Sequence, residues 1–161
     1  MHGYGTVQWR EFPSELTGQK VGILGMGTTG QIVAGILQFF GAEISYYSRT
    51  RKTDLEQEKD YVYLPLNDLL SHSDILCTCL NRNVILLHEK EFTIFGKGKV
   101  LINISITPSH DIEALHNWLE YPGNYMLSDS VNGVDPSGKL LELPNVLCTR
   151  KPAGITVQAM D

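Results

Sequence analysis

The chain has 161 residues, 42% of them hydrophobic and 19% charged. This balance fits one globular domain that buries roughly 70% of its unfolded surface, and it excludes collagen-like, coiled-coil and disordered classes. Thirteen basic against eighteen acidic side chains leave a formal net charge of -5, so no global field draws the protein to nucleic acid or to an anionic membrane.

No apolar run reaches the roughly 20 residues of a membrane span, and residues 1–10 lack the pattern of a secretory signal, so a soluble, cytoplasmic protein is expected. The first apolar run of strand length is Lys20 to Leu24. It is followed by Gly25 to Gly30, and then by Ile32, Val33, Ile36, Leu37 and Phe40 at helical spacing, ending at Gly41. This order predicts strand, glycine turn, helix. A second strand is expected over Glu43 to Tyr47, then a polar turn from Ser48 to Asp54 and a short strand over Tyr61 to Leu64. Asn67 is placed to cap a short helix holding Leu69 and Leu70. Ile75 to Leu80 reads as a fully buried strand, Lys90 to Phe95 as a short helix and Val100 to Ile104 as a strand. Ile112, Leu115, Trp118 and Leu119 mark one face of a helix that ends at Pro122 and Gly123, and last strands are expected over Tyr125 to Leu127 and Asn145 to Cys148.

Cys77, Cys79 and Cys148 lack Cys-x-x-Cys spacing and read as small reduced core residues. His2, His72, His88, His110 and His116 show no metal-ligand grouping, so no metal site is expected. Strands separated by helical crossovers predict an α/β fold, a doubly wound parallel sheet in a single domain, with ligands beyond the carboxyl ends of its strands.

Gly25-Met26-Gly27-Thr28-Thr29-Gly30 matches G-x-G-x-x-G directly after a strand and directly before a helix. In that setting Gly25 permits the tight turn, Gly27 lets backbone approach a pyrophosphate, and Gly30 allows the helix to pack closely on the strand. Amides near Thr28 and Thr29, at the positive end of the helix, are the phosphate donors. A P-loop would need Gly-Lys-Ser/Thr, which Thr29-Gly30-Gln31 does not supply. A methyltransferase usually carries an acid at the end of the second strand. Here that strand runs into Ser48-Arg49-Thr50-Arg51-Lys52 with no carboxylate. A carboxylate there would hold an NAD ribose and repel a 2'-phosphate. Ser48 and Thr50 can instead donate hydrogen bonds, and Arg49 or Arg51 can neutralise the phosphate, which favours NADP over NAD.

Taken together, GQKVGILGMGTTG, FFGAEISYYSRTRK, LPLNDLLSHSDILC, KVLINIS, DIEALHNWL and LLELPNV resemble the nucleotide-binding domain of the D-isomer-specific 2-hydroxyacid dehydrogenase family. The resemblance covers residues 18 to 157. It implies a Rossmann fold, a nicotinamide dinucleotide cofactor and hydride transfer between NADP(H) and a 2-oxo or 2-hydroxy acid once joined to a substrate domain. It further implies a homodimer, with residues 1–17 as an arm carrying Trp9 and Phe12 to the partner and residues 18–161 as the dinucleotide-binding domain. Asn103 matches the family's strand-end Asn beside the nicotinamide, Asp129 the Asp that holds the carboxamide, and Leu80 the Leu near the adenosine ribose, although Asn81 replaces the usual Pro.

The catalytic positions depart from the family. Ile106 stands where the family has the Arg that binds substrate, Asn132 where it has the Glu that orients the catalytic His, and Lys151 where it has that His. An isoleucine cannot bind an anion. Lys151 can serve as proton donor to the carbonyl if its surroundings lower its pKa toward neutrality. These three replacements leave a second reading open, a non-catalytic NADP(H)-binding or dimerisation module.

Overall fold

Every strand among the described residues runs the same way, and each pair of sequential neighbours is separated by a crossover. The computed structural model describes residues 15–154, within which β1 (Lys20–Leu24), β2 (Glu43–Tyr47), β3 (Val62–Tyr63), β4 (Ile75–Thr78), β5 (Val100–Asn103), β6 (Tyr125–Ser128) and β7 (Val146–Cys148) form one sheet. The strand order is β3-β2-β1-β4-β5-β6-β7, all parallel. This is the doubly wound Rossmann arrangement expected from the alternating pattern. The order reverses between β1 and β4, so a crevice opens beyond their carboxyl ends.

The helices are α1 (Thr28–Phe39), α2 (Thr53–Lys59), α3 (Leu66–His72), α4 (Glu89–Phe95), α5 (Ile112–Leu119) and the single turn α6 (Val131–Val134), with a 3-10 turn at Lys139–Glu142. Strand side chains alternate between two cores, as a period of two requires. Val21, Ile23, Ile44 and Cys77 join Ala34 of α1 and Tyr61 on one face, while Leu24, Leu76, Leu101 and Met126 join Leu69, Phe92, Phe95, Leu115 and Trp118 from α3, α4 and α5 on the other. Gly22 belongs to the second face because a Cβ there would stand 2.3 Å from Ser73 Oγ.

Two local expectations are corrected. Asn67 does not cap α3. Pro65 holds the N-cap position with φ of -54°, and Asn67 lies exposed within the helix; the fixed proline ring starts the helix earlier than the Asn side chain can. The polar stretch after β2 contains α2, which composition alone concealed. Its signal was Thr53-x-x-Glu56, a spacing common at helix starts. The helix expected from the apolar spacing is α1, and the apolar residues on it and at its C-cap divide between two faces. Val33 and Leu37 pack inward, but Ile32, Ile36 and Phe40 are exposed, as is Phe39 at 85%. The arm expected over residues 1–17 falls mostly outside the described residues. Among those described, no helix is long and apolar enough to cross a membrane.

Candidate functional site

β1 hands the chain directly to the glycine turn. Gly25 has φ of +104°, and a Cβ on it would lie 2.6 Å from the Cys79 carbonyl oxygen. Only glycine fits both constraints. Gly30 is buried, and a Cβ there would lie 2.0 Å from the Gly25 carbonyl oxygen, which is how the first turn of α1 closes onto the end of β1. Gly27 differs from both. It is the N-cap of α1, it is exposed, and a Cβ on it would meet nothing within 4 Å. No side chain caps α1 and no acid stands in its first turn, while Thr28 and Thr29 are exposed. The opening N–H groups of a 12-residue helix therefore face open space beside bare backbone, the surroundings an anionic diphosphate requires.

At the end of β2, the two arginines separate. Arg51 is committed: its guanidinium pairs with Glu56 of α2 at 2.6 Å and lies 5.3 Å above the Tyr63 ring. Glu56 also accepts a 2.7 Å bond from the Tyr46 hydroxyl. The Arg51 bond, aided by Tyr46, holds the Glu56 carboxyl well below its ordinary range, at about 2. Arg49 is exposed and makes no ion pair or hydrogen bond among the described residues. Ser48 Oγ donates to the Thr50 carbonyl at 2.6 Å, shaping the turn that presents Arg49.

The carboxyl ends of β4, β5 and β6 are joined by buried polar groups. The Thr78 hydroxyl donates to Asn103 Oδ1, and Ser109 Oγ lies 3.0 Å from both. Asn103 Nδ2 donates to the carbonyls of Ser105 at 3.0 Å and Gly133 at 2.9 Å. Leu80 N–H donates to Ser105 Oγ at 2.8 Å, and Ser128 Oγ donates to the Asn103 carbonyl at 3.2 Å. The Asn103 side chain is thus 1% exposed and spent on the protein itself. It fixes the loop after β5. Thr78, Ser105 and Ser109 went unnoticed in the sequence because hydroxyls scattered over 31 positions carry no local pattern.

His110, at the base of this region, is fully buried. Its Nε2 donates to the Val134 carbonyl at 2.8 Å, which makes the ring the neutral Nε2–H tautomer and leaves Nδ1 buried without a partner among the described residues. Burial pushes its pKa below the usual histidine value. Cys77 is likewise inert, its thiol raised to about 12 by burial, and Cys79 is raised to about 11 by the same cause. All three cysteines are free thiols, as expected. Among the described residues, no cluster of His, Cys, Asp or Glu is arranged to hold a metal.

Asp129 follows β6, and the segment after β7 folds back onto it. Thr149 Oγ1 donates to the Asp129 carbonyl at 3.0 Å, and the Ala153 N–H donates to Asp129 Oδ2 at 2.6 Å. Lys151 lies in that segment and is exposed. Ile106 and Asn132 meet in a cleft of about 400 Å³ that Arg82, Asn83, Thr107, Pro108 and Pro136 also line. Arg82 had no sequence signal, since it is an isolated cation in a polar turn.

The comparisons agree with this architecture. The family model of the D-isomer specific 2-hydroxyacid dehydrogenase NAD binding domain matches residues 4–150. A glyoxylate reductase of Pyrococcus horikoshii is 38% identical over 104 residues, covering 63% of this chain and 31% of that protein. A glyoxylate reductase of Pyrococcus furiosus is 30% identical over 157 residues, covering 91% of this chain and 45% of that protein. The solved pyruvate reductase of Chlamydomonas reinhardtii superposes with a TM-score of 0.75 at 26% identity, over 92% of this chain and 51% of that one. The matched segment spans 31% of the first of these relatives and 45% of the second, less than half of either.

Proposed function

Because the chain belongs to the D-isomer specific 2-hydroxyacid dehydrogenase family through its NAD binding domain, we propose that it binds NADP(H) and forms the cofactor half of a reductase for small 2-oxo acids. The observation that carries the reading is the open cradle at Gly27, where uncapped N–H groups of α1 meet backbone with no side chain in the way. The bound nicotinamide supplies or accepts the hydride. Gly27, Thr28 and Thr29 hold the diphosphate, with Gly25 and Gly30 shaping the turn. Arg49 and Thr50 receive the 2'-phosphate on the turn that Ser48 shapes, Leu80 flanks the adenosine, the loop fixed by Asn103 flanks the nicotinamide, and Asp129 takes the carboxamide. Arg51 supports this rim through Glu56 instead of reaching the ligand. That the relatives are glyoxylate reductases points to a 2-oxo acid as the partner molecule.

In this reading Lys151 is the proton donor to the carbonyl oxygen, kept at the carboxyl end of the sheet by the backbone bond from Ala153 to Asp129. Its exposure favours the second reading, a non-catalytic NADP(H)-binding or dimerising module. Fluorescence titration with NADPH and NADH tests the common part: NADPH binds more tightly, and failure of both overturns the proposal. NADPH oxidation with glyoxylate by the whole protein, abolished in Lys151→Ala, decides for the enzyme.

The expected homodimer draws support from α1. Ile32, Ile36, Phe39 and Phe40 form an exposed apolar face, of the kind that marks protein contacts. The chain also enters the domain beside this face, where Gly18 N–H donates to the Gly41 carbonyl at 2.8 Å. A second copy covers the face in our reading, and Phe39→Asp shifts the mass measured by light scattering from dimer to monomer.

A further inference from the structure

The cleft containing Ile106 and Asn132 lies where the carboxyl ends of three neighbouring strands converge. Arg82 comes from the turn after β4, Ile106, Thr107 and Pro108 from the loop after β5, and Asn132 and Pro136 from the segment after β6. Ligands of open parallel sheets bind at such ends. Two bonds clamp the first turn onto the second loop: Leu80 N–H to Ser105 Oγ at 2.8 Å, and the N–H of Asn83 to Thr107 Oγ1 at 2.9 Å. Asn83 sits at φ of +61°, so the turn reverses sharply just after Arg82.

Of the described residues that line this cleft, Arg82 is the one with a charged side chain, and none is a carboxylate. Among the described residues it makes no ion pair and no side-chain hydrogen bond. The remaining walls are apolar at Ile106, Pro108 and Pro136 and hydrogen-bonding at Asn83, Thr107 and Asn132. A guanidinium with an unused planar fork, beside amide and hydroxyl groups in a small cleft, matches a carboxylate bonded to a carbonyl or hydroxyl carbon.

We propose that Arg82 binds the substrate carboxylate in this cleft, so that the anion is held from the turn after β4 while Ile106 packs against the substrate's carbon. The naming of a 2-oxo acid as that anion rests on the dehydrogenase reading above; the cleft and its lone cation do not.

The test uses oxalate, a dianion with adjacent carboxylates, titrated into the chain without cofactor and followed by the backbone amide resonances of Asn83, Thr107 and Asn132. All three shift saturably in the wild type, and chloride at matched ionic strength does not reproduce the shifts. Arg82→Gln weakens oxalate at least about tenfold, as loss of a charge-assisted fork requires. Arg82→Lys recovers only part of the affinity because a point charge lacks the fork. Unshifted amides in the wild type, equal shifts with chloride, or unchanged affinity in a folded Arg82→Gln overturn the proposal. NADPH titration of the same samples reads the glycine turn separately, and Arg82→Gln leaves it unchanged. A chain that binds oxalate through Arg82 but no dinucleotide would refute the dehydrogenase reading alone.

Discussion

A methyl group on Gly30 would stand 2.0 Å from the carbonyl oxygen of Gly25, whereas one on Gly27, three residues earlier, would meet nothing within 4 Å. One motif thus holds two kinds of glycine, and substitution separates them. Gly30→Ala must push α1 away from β1 and is expected to cost about 2–3 kcal/mol, read from the urea midpoint. Gly27→Ala occupies an N-cap with φ of -80°, open to any residue, and changes stability by less than about 1 kcal/mol. It is nevertheless expected to weaken NADPH at least about tenfold, since the added methyl stands in the proposed diphosphate cradle. Unaltered NADPH affinity in Gly27→Ala would move the cofactor elsewhere.

The two arginines after β2 give opposite outcomes. Arg49 is exposed and unpaired among the described residues, whereas Arg51 is held by Glu56 and Tyr63. Arg49→Gln is expected to remove about 1.5–3 kcal/mol of NADPH binding while leaving NADH nearly unchanged. Arg51→Gln changes NADPH affinity little but loosens α2. Parallel titrations with both cofactors distinguish the cases, and an equal loss for NADH in Arg49→Gln counts against a 2'-phosphate contact.

The glycine turn was legible because everything it needs is consecutive: a strand, three glycines at fixed offsets and a helix. The cation rim at Arg49 was legible for the same reason, but the commitment of Arg51 was not, because Glu56 declares itself only once α2 exists. Apolar periodicity could place α1 but could not tell its inward Val33 and Leu37 from its outward Ile32 and Ile36, since both sets repeat at the same interval. Arg82 lay furthest from view. Its neighbours Ile106 and Asn132 come from two other strand ends, and such a meeting is a property of the sheet order.

Asn103 shows how a motif residue can serve through its surroundings. Its amide satisfies the carbonyls of Ser105 and Gly133 and receives the Thr78 hydroxyl, all buried. Asn103→Ala orphans these groups and is expected to cost about 3 kcal/mol or more in urea unfolding. Asn103→Asp is no milder, because a carboxylate cannot donate to the two carbonyls. A loss below about 1 kcal/mol in both would show that the network is slack.

Glu56 ties stability to acid. Its folded pKa of about 2 lies below the usual glutamate value of 4.5 because Arg51 and Tyr46 bond its charged form. A depressed carboxylate contributes stability above pH 4.5 that is lost as the pH falls toward 2. Glu56→Gln should therefore flatten the pH dependence of the urea midpoint in this window. Parallel curves for wild type and variant between pH 4.5 and 2 would remove Glu56 as the cause.

His110 acts in a different window with the same sign. Burial, which disfavours the charged ring, lowers its folded pKa below the usual 6.5, and among the described residues Nδ1 has no partner. The unfolded chain binds this proton more readily than the folded one, so stability is intact above pH 6.5 and falls as the pH drops toward the folded pKa. Nitrogen chemical shifts should report the neutral Nε2–H tautomer donating to Val134 at pH 7. His110→Gln carries no titrating ring, so its urea midpoint should stay level just below pH 6.5 while that of the wild type declines. A wild-type midpoint that holds steady from pH 7 to 5 would mean that the buried ring accepts its proton without cost.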